Sequence, residues 1–230
     1  MWFIPSRQRP QKALKCVQAM VCCGSVSPGA VIIDADDPMF EEYYFTPLPA
    51  GWSLHIGRSV PWFTDKLNLG LKSFSNEPWY GSISDDTYAK TPGFEQRLIE
   101  GAGAWGVATA NDGWQARSDV NVGRMHGAGV YGGEFLRAWG CWYPEGFKHQ
   151  FAEDVHETLC RRLGNWVTLM DVLTVHDHPL KTGGPMDDTF HQVNNPQMFN
   201  DGKARFEQWR RFEFEGSVEK IKTAAVKCYD

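Results

Sequence analysis

The chain has 230 residues, 42% of them hydrophobic and 22% charged, with a formal net charge of −5. That composition excludes a mainly disordered or fibrous chain, and the length suits one large domain whose core needs no disulfide or metal staple. The acidic balance excludes a basic field over the whole surface, so nucleic-acid binding would need a local patch. No apolar run approaches the roughly 18 residues of a membrane span, and Met1 to Pro10 lacks the apolar stretch of a signal peptide. The six cysteines, Cys16, Cys22, Cys23, Cys141, Cys160 and Cys228, include no Cys-x-x-Cys pair. A zinc site or disulfide framework is therefore not expected, and a reducing cytoplasm is. Aromatic residues make up 13%; they serve a core of large side chains, or flat surfaces for sugars or bases.

Trp2-Phe3-Ile4 reads as a short buried strand, closed by the loop Pro5-Ser6-Arg7. Pro10 suits a first helical position, and Leu14, Val17 and Val21 then mark one helix face up to Gly24. Ala30 to Ile33 is a second strand, ending in Asp34-Ala35-Asp36-Asp37-Pro38. Strand, helix and strand make a βαβ unit, and in open α/β sheets ligands gather at the carboxyl ends of the strands. His55-Ile56-Gly57 is a further strand candidate, and Thr64 is a cap candidate for a helix bearing Leu67, Leu71 and Phe74. Trp79 to Ser84 is a strand running into Asp85-Asp86, Phe94 to Ile99 a helix, and Trp105 to Ala110 a strand. Gly123 to Gly133 has no clear period. Helices are expected at Glu134–Trp139 and Phe151–Leu163, then a long or kinked strand at Trp166–Val175. Lys181 to Asp201 reads as loop, and Lys203–Phe214 and the tail after Gly216 as two helices.

Four acidic or histidine clusters are expected at strand ends along one edge of the sheet: Asp34/Asp36/Asp37, Asp85/Asp86, Glu153/Asp154 and His176/His178. Any one of them is commonly a turn or cap. Together they suggest a site, because adjacent carboxylates repel unless a proton or cation offsets them. Oxygen ligands suit Mg²⁺ or Mn²⁺, and an imidazole favours Mn²⁺. Gly127, Gly129, Gly132 and Gly133 are not a phosphate-binding P-loop, since no Gly-Lys-Ser/Thr follows.

Several segments resemble a group of small GT-A-fold glycosyltransferases of phages and bacteria, related to family-2 enzymes. They are Phe3 to Pro10, Ile33 to Pro38, Ser84-Asp85-Asp86 with Thr91 to Phe94, Gly133 to Gly140 with Glu153-Asp154-Val155, and Val175 to Pro179 with Asp187 to Phe190. The resemblance, which runs from Phe3 to about Arg210, implies an α/β, Rossmann-like mixed sheet flanked by helices; the helical pattern of the tail divides the chain into this domain over residues 1–202 and a helical C-terminal extension over 203–230. It implies a nucleotide-sugar donor, UDP ranking first, held by Pro5, Ser6, Arg7, Arg9, Asp34, Asp36 and Asp85. Asp86 and either or both of His176 and His178 would ligate Mn²⁺ or Mg²⁺; Ser84 and Thr87 flank the acidic pair where the family has Asp-x-Asp, so either carboxylate is a candidate ligand. Asp154 takes the role of general base, implying inversion at the anomeric carbon. His149, Glu153 and Trp114 fall on the acceptor side.

The resemblance implies a hydroxyl acceptor. Relatives of phage type point to 5-hydroxymethylpyrimidine in DNA; a glycan or small metabolite is the alternative. Lys203, Arg205, Arg210 and Arg211 beside Trp209, with Lys220, Lys222 and Lys227, would suit phosphate contact and stacking. Interspersed Glu207, Glu213, Glu215 and Glu219 equally suit a solvated, ion-paired helix. A nucleotidyltransferase and a non-catalytic binding module are the competing functions. No membrane association is expected, and the sequence gives no sign of which protein partner the chain would take.

Overall fold

The computed structural model describes residues 1–58, 60–113 and 128–227; Trp114, Gly127 and Cys228 lie outside the described residues. The chain opens with β1 (Trp2–Pro5), α1 (Pro10–Cys22) and β2 (Gly29–Asp34), the expected βαβ unit. The two strands pair in parallel, from Trp2↔Gly29 to Pro5↔Ile32. Both are near-continuous apolar runs, as strands covered on both faces must be. Pro10 begins α1, and Gly24, at φ +87°, follows its end. The buried face of α1 is Ala13, Cys16, Val17 and Met20, while Val21 is exposed, so the face is rotated from the one expected. Small residues at 13 and 16 let the helix lie close on the sheet.

Next come α2 (Phe40–Phe45), β3 (Trp52–Gly57), α3 (Phe63–Ser73) and β4 (Trp79–Ile83). β3 adds in parallel to β2, and β4 to β1. Thr64 does not cap α3: it lies inside the helix and its hydroxyl donates to the Phe147 carbonyl at 2.5 Å. β5 (Thr87–Ala89), α4 (Phe94–Ala102), β6 (Val107–Asn111), β7 (Ala128–Gly132), α5 (Gly133–Trp139), α6 (Ala152–Leu163) and β8 (Trp166–His176) complete the sheet layer. The order is β3-β2-β1-β4-β7-β6-β8-β5, with β7 antiparallel between β4 and β6. Part of the aperiodic glycine-rich stretch is thus a strand. At Gly132 a Cβ would stand 2.1 Å from the Ala104 carbonyl oxygen, so only glycine fits that approach.

The segment expected as loop holds α7 (Pro179–Thr182) and α8 (Asp188–Val193), and α9 (Pro196–Phe212) begins within it. Its polar residues are caps: the Asp187 carboxylate accepts from Phe190 N–H at 2.8 Å, and the Asn195 side chain from Met198 N–H at 2.9 Å. α9 therefore crosses residue 202, and α10 (Phe214–Lys227) follows. Trp209, Val218 and Ile221 share a core cluster with Phe3, Ile32 and Leu136, so both helices complete one face of the sheet. The other face is covered by α1 and α4. Among the described residues no helix is long and apolar enough to cross a membrane.

Trp142 and Tyr143 are core residues, packed with Tyr131 around the buried His156. The His156 Nε2–H donates to the Trp142 carbonyl at 2.6 Å, and Nδ1 is buried without a partner. Burial pulls the imidazole pKa down to about 4. Between pH 6.5 and 4 the unfolded chain therefore takes up a proton that the folded chain refuses, so stability is present above this window and lost as pH falls through it. The loss at pH 4 is on the order of 3 kcal/mol. Urea unfolding at pH 7 and pH 4.5 should show it, and His156→Gln should flatten the slope; equal slopes would assign the acid sensitivity elsewhere.

Candidate active site

The carboxyl ends of β1, β2 and β4 lie side by side and deliver three loops to one edge. The loop after β1 is tight: Gln8 sits at φ +57°, its N–H donating to Asp37 at 2.9 Å. Among the described residues the other non-glycine at positive φ is Phe151, at +65°, which leads into Glu153 at the start of α6. Backbone strain of this kind persists where the surroundings hold it, often at functional sites.

Arg9 is the hub of the first cluster. Its guanidinium reaches Asp85 and Asp86, each at 3.3 Å, and clasps Asp187 through two bonds of 2.8 and 2.6 Å. Ser6 donates to Asp85 at 2.6 Å, and its oxygen also lies 2.6 Å from the Tyr43 hydroxyl. His176 Nε2 lies 3.2 Å from Asp86 Oδ1. This last contact comes from strand register. β8 runs parallel to β6, is irregular opposite Ala110/Asn111, and continues antiparallel to β5, where His176 pairs with Thr87. The residue after Asp86 is thus opposite His176, and Asp177 N–H donates to the Asp86 carbonyl at 2.7 Å.

The two adjacent carboxyls differ. Burial and the neighbouring Asp86 charge push the Asp85 pKa up. Burial acts the same way on Asp86, but the hydrogen bond and charge of His176, with Arg9, outweigh it and hold the group below the usual range. Arg9 likewise outweighs burial at Asp187, whose pKa is about 2. His178 lies beside His176, ring centroids 5.1 Å apart, and its Nδ1 caps α7 by accepting from Leu180 N–H. Burial pulls the His149 pKa down to about 4; its ring packs edge-on against Phe63.

The second cluster surrounds the end of β2. Asp34 Oδ2 accepts from Val60 N–H at 2.9 Å, while Oδ1 is buried without a partner. Arg7 pairs with Asp36 at 2.7 Å. The chain thus separates the two arginines, Arg7 at the Asp34–Asp37 turn and Arg9 at the acidic pair. Lys66, fully buried on α3, joins this cluster; burial lowers its pKa to about 8 against the opposing charge of Asp34. The sequence reading passed over Lys66. Its signal was its spacing, since Phe63, Lys66, Leu67 and Gly70 share one helix face.

A cavity of about 130 Å³ connects the clusters, lined by Pro5, Ser6, Arg7, Arg9, Lys66, Asp85, Asp86 and Glu153 among others. Glu153 also lines a smaller space with Ser82, Thr109 and Tyr131. Asp154, its neighbour on α6, lines neither. A larger groove, near 700 Å³, runs between α3 and α5.

Among the described residues no three His, Cys, Asp or Glu side chains gather to hold a metal ion. Asp86 and His176 offer two donor atoms 3.2 Å apart, against about 3 Å for adjacent ligands of an octahedral Mg²⁺ ion. Such ions are usually held by one or two carboxylates together with phosphate oxygens and water. The pair fits that arrangement, with the imidazole favouring Mn²⁺.

The basic C-terminal surface is smaller than its composition implied. Trp209 is fully buried and unavailable for stacking. Arg205 is held by Glu213 and the Glu145 carbonyl, and Lys220 by the Trp139 carbonyl. The core took the tryptophan and helix packing took these two cations.

No protein-family model matches the chain. No curated protein matches it significantly. Solved structures do. Staphylococcus aureus TarS, residues 1–349, superposes with a TM-score of 0.54 at 12% identity, covering 92% of this chain and 72% of that one. GalNAc-T7 with UDP, GalNAc and Mn²⁺ gives 0.56 at 7% identity, covering 94% of this chain and 57% of that one. A putative glucose-1-phosphate thymidylyltransferase from Bacillus anthracis in complex with a sucrose gives 0.53 at 9% identity, covering 86% and 98%. At these identities the likeness establishes the fold: GT-A, a Rossmann-like nucleotide-binding architecture in one domain.

Proposed function

We propose that this GT-A chain is a glycosyltransferase that moves a sugar from a nucleoside diphosphate sugar to an acceptor hydroxyl with inversion. One observation carries the reading: a single cavity is shared by the Arg9–Asp85–Asp86 cluster and a separate carboxylate, Glu153. The first is suited to a diphosphate, the second to an incoming nucleophile.

Arg9, backed by Lys12, presents a planar cation to the diphosphate; at present it is bound by Asp187, whose carboxylate stands in for a phosphate oxygen. Asp85, fixed by Ser6 and Arg9, holds the guanidinium in place. Asp86 and His176 would hold a divalent ion, whose chemistry would be further charge neutralisation at the departing phosphate. Glu153 accepts the proton of the acceptor hydroxyl. The acceptor oxygen bonds to the anomeric carbon as the bond from that carbon to the diphosphate oxygen breaks, and the nucleoside diphosphate leaves with the electron pair. One displacement inverts the anomeric centre.

The fold is shared with nucleotidyltransferases, so that activity is the second reading. Against it, the loop Pro5-Ser6-Arg7-Gln8-Arg9-Pro10 has no glycine to wrap a triphosphate. Incubation with Mn²⁺, nucleotide sugars, nucleoside triphosphates with sugar phosphates, and an acceptor panel of glycans, small metabolites and hydroxymethylated DNA separates the two. Acceptor-dependent release of nucleoside diphosphate supports the glycosyltransferase; pyrophosphate release would replace it with the second reading. Loss of Trp209 as a stacking surface removes the main structural motive for the DNA acceptor.

A further inference from the structure

Two backbone N–H groups of the loop after β1 are held by side chains from the segment that follows β2. Gln8 N–H donates to the Asp37 carboxylate at 2.9 Å, and Arg9 N–H to the Tyr43 hydroxyl at 2.8 Å. Asp37 also accepts from Met39 N–H at 2.8 Å, which fixes the turn leading into α2. The first two bonds hold Gln8 in the left-handed region, a conformation that a residue with a side chain keeps only where its surroundings enforce it. Tyr43 is the buried residue of α2, and its ring shares a core cluster with Ile4 and Val17.

The phenol reaches further than the backbone. The Ser6 hydroxyl has one proton and gives it to Asp85 Oδ2 at 2.6 Å. In its other contact, 2.6 Å from the Tyr43 oxygen, Ser6 therefore accepts and Tyr43 donates. Burial keeps the phenol protonated by pushing its pKa up. The bonds close on themselves. Arg9 N–H donates to Tyr43, Tyr43 to Ser6 and Ser6 to Asp85, whose Oδ1 accepts from the Arg9 guanidinium at 3.3 Å. Each donor in such a chain polarises the next. One hydroxyl thus sets the Arg9 backbone and also Ser6, which orients the carboxylate facing the Arg9 side chain.

We propose that Tyr43 is a positioning residue for Arg9: its hydroxyl fixes the backbone directly and the guanidinium through Ser6 and Asp85, and so sets the plane of the cation that meets the diphosphate. This rests on the diphosphate role of Arg9 in the proposed function. Orientation matters because a guanidinium binds phosphate as a planar fork, whereas an ammonium acts as a point charge.

The test is a double-mutant cycle read by titration calorimetry of inorganic pyrophosphate against the full chain in Mg²⁺ buffer, with circular dichroism to confirm that variants fold. Tyr43→Phe keeps the ring in the core and removes the hydroxyl. It should weaken pyrophosphate binding about tenfold or more, the order of a lost hydrogen bond to a charged group. Tyr44→Phe takes the same atom from the exposed neighbour and should change affinity by less than about twofold. In an Arg9→Lys background, which keeps a charge but not the fork, adding Tyr43→Phe should cost less than about threefold. A tyrosine that only supports the fold would cost the same factor in both backgrounds. That result, or a loss below tenfold with arginine present, overturns the inference and leaves the nucleotide-sugar reading standing. If Tyr43→Phe does not fold, Ser6→Ala cuts the chain at its next link and enters the same cycle with the same expected outcome. Absence of pyrophosphate binding by the unaltered protein overturns both.

Discussion

Glu153→Gln is expected to lower the turnover number by 10²–10⁴-fold, the range of general-base assistance, with nucleoside diphosphate affinity changed less than threefold. The amide keeps the size of the side chain and cannot take up the acceptor proton. Donor hydrolysis, which draws on water, should fall with transfer. Sequence resemblance put the base at Asp154, but Glu153 is the member of the pair that lines the cavity with Asp85 and Asp86. Asp154→Asn should therefore retain turnover within tenfold. Steady-state kinetics of both variants decide the matter, and a large loss confined to Asp154→Asn would return the base to that residue.

Asp86→Ala, or excess chelator on the unaltered protein, is expected to reduce transfer by about a thousandfold or more. That corresponds to the several kcal/mol of charge stabilisation that a metal ion gives a departing phosphate. The variant should remain folded, because Arg9 keeps Asp85 and Asp187 as partners. Mn²⁺ added back should restore the chelated protein and not Asp86→Ala. His176→Ala should weaken the Mn²⁺ dependence, whereas His178→Ala should leave it within a fewfold, since His178 Nδ1 is engaged in capping α7. Full transfer in excess chelator would remove the metal from the reaction and leave Arg9 and Lys12 as the balancing charges.

The parts of this protein legible from sequence were those in which neighbours along the chain specify the outcome. Trp2-Phe3-Ile4 and Ala30 to Ile33 are apolar runs bounded by turn residues, Pro10 and Gly24 bracket a helix, and acidic residues follow the strands. Local burial and backbone preference suffice there, so the βαβ opening and its polar edge could be read directly. Glycine hid β7, because a residue without a side chain has no hydrophobic period, and its place in the sheet depends on contacts with Ala104 and β6. Cap residues hid α7 and α8 in a polar segment. The site depended on distances along the chain that no motif encodes. Arg9 meets Asp187 across 178 positions, and His176 meets Asp86 only because β8 changes partners along its length and pairs with β5. Which of Glu153 and Asp154 faces the cavity is set by how α6 sits on the sheet, since adjacent helical residues point about 100° apart. Lys66 became part of the site only when α3 packed its charge beneath the β2 turn, where Asp34 supports it. Sequence thus determined the βαβ opening and that acidic chemistry lies at one edge of the sheet; strand register and helix rotation decided which of those groups meet, because both are set by packing against distant parts of the chain.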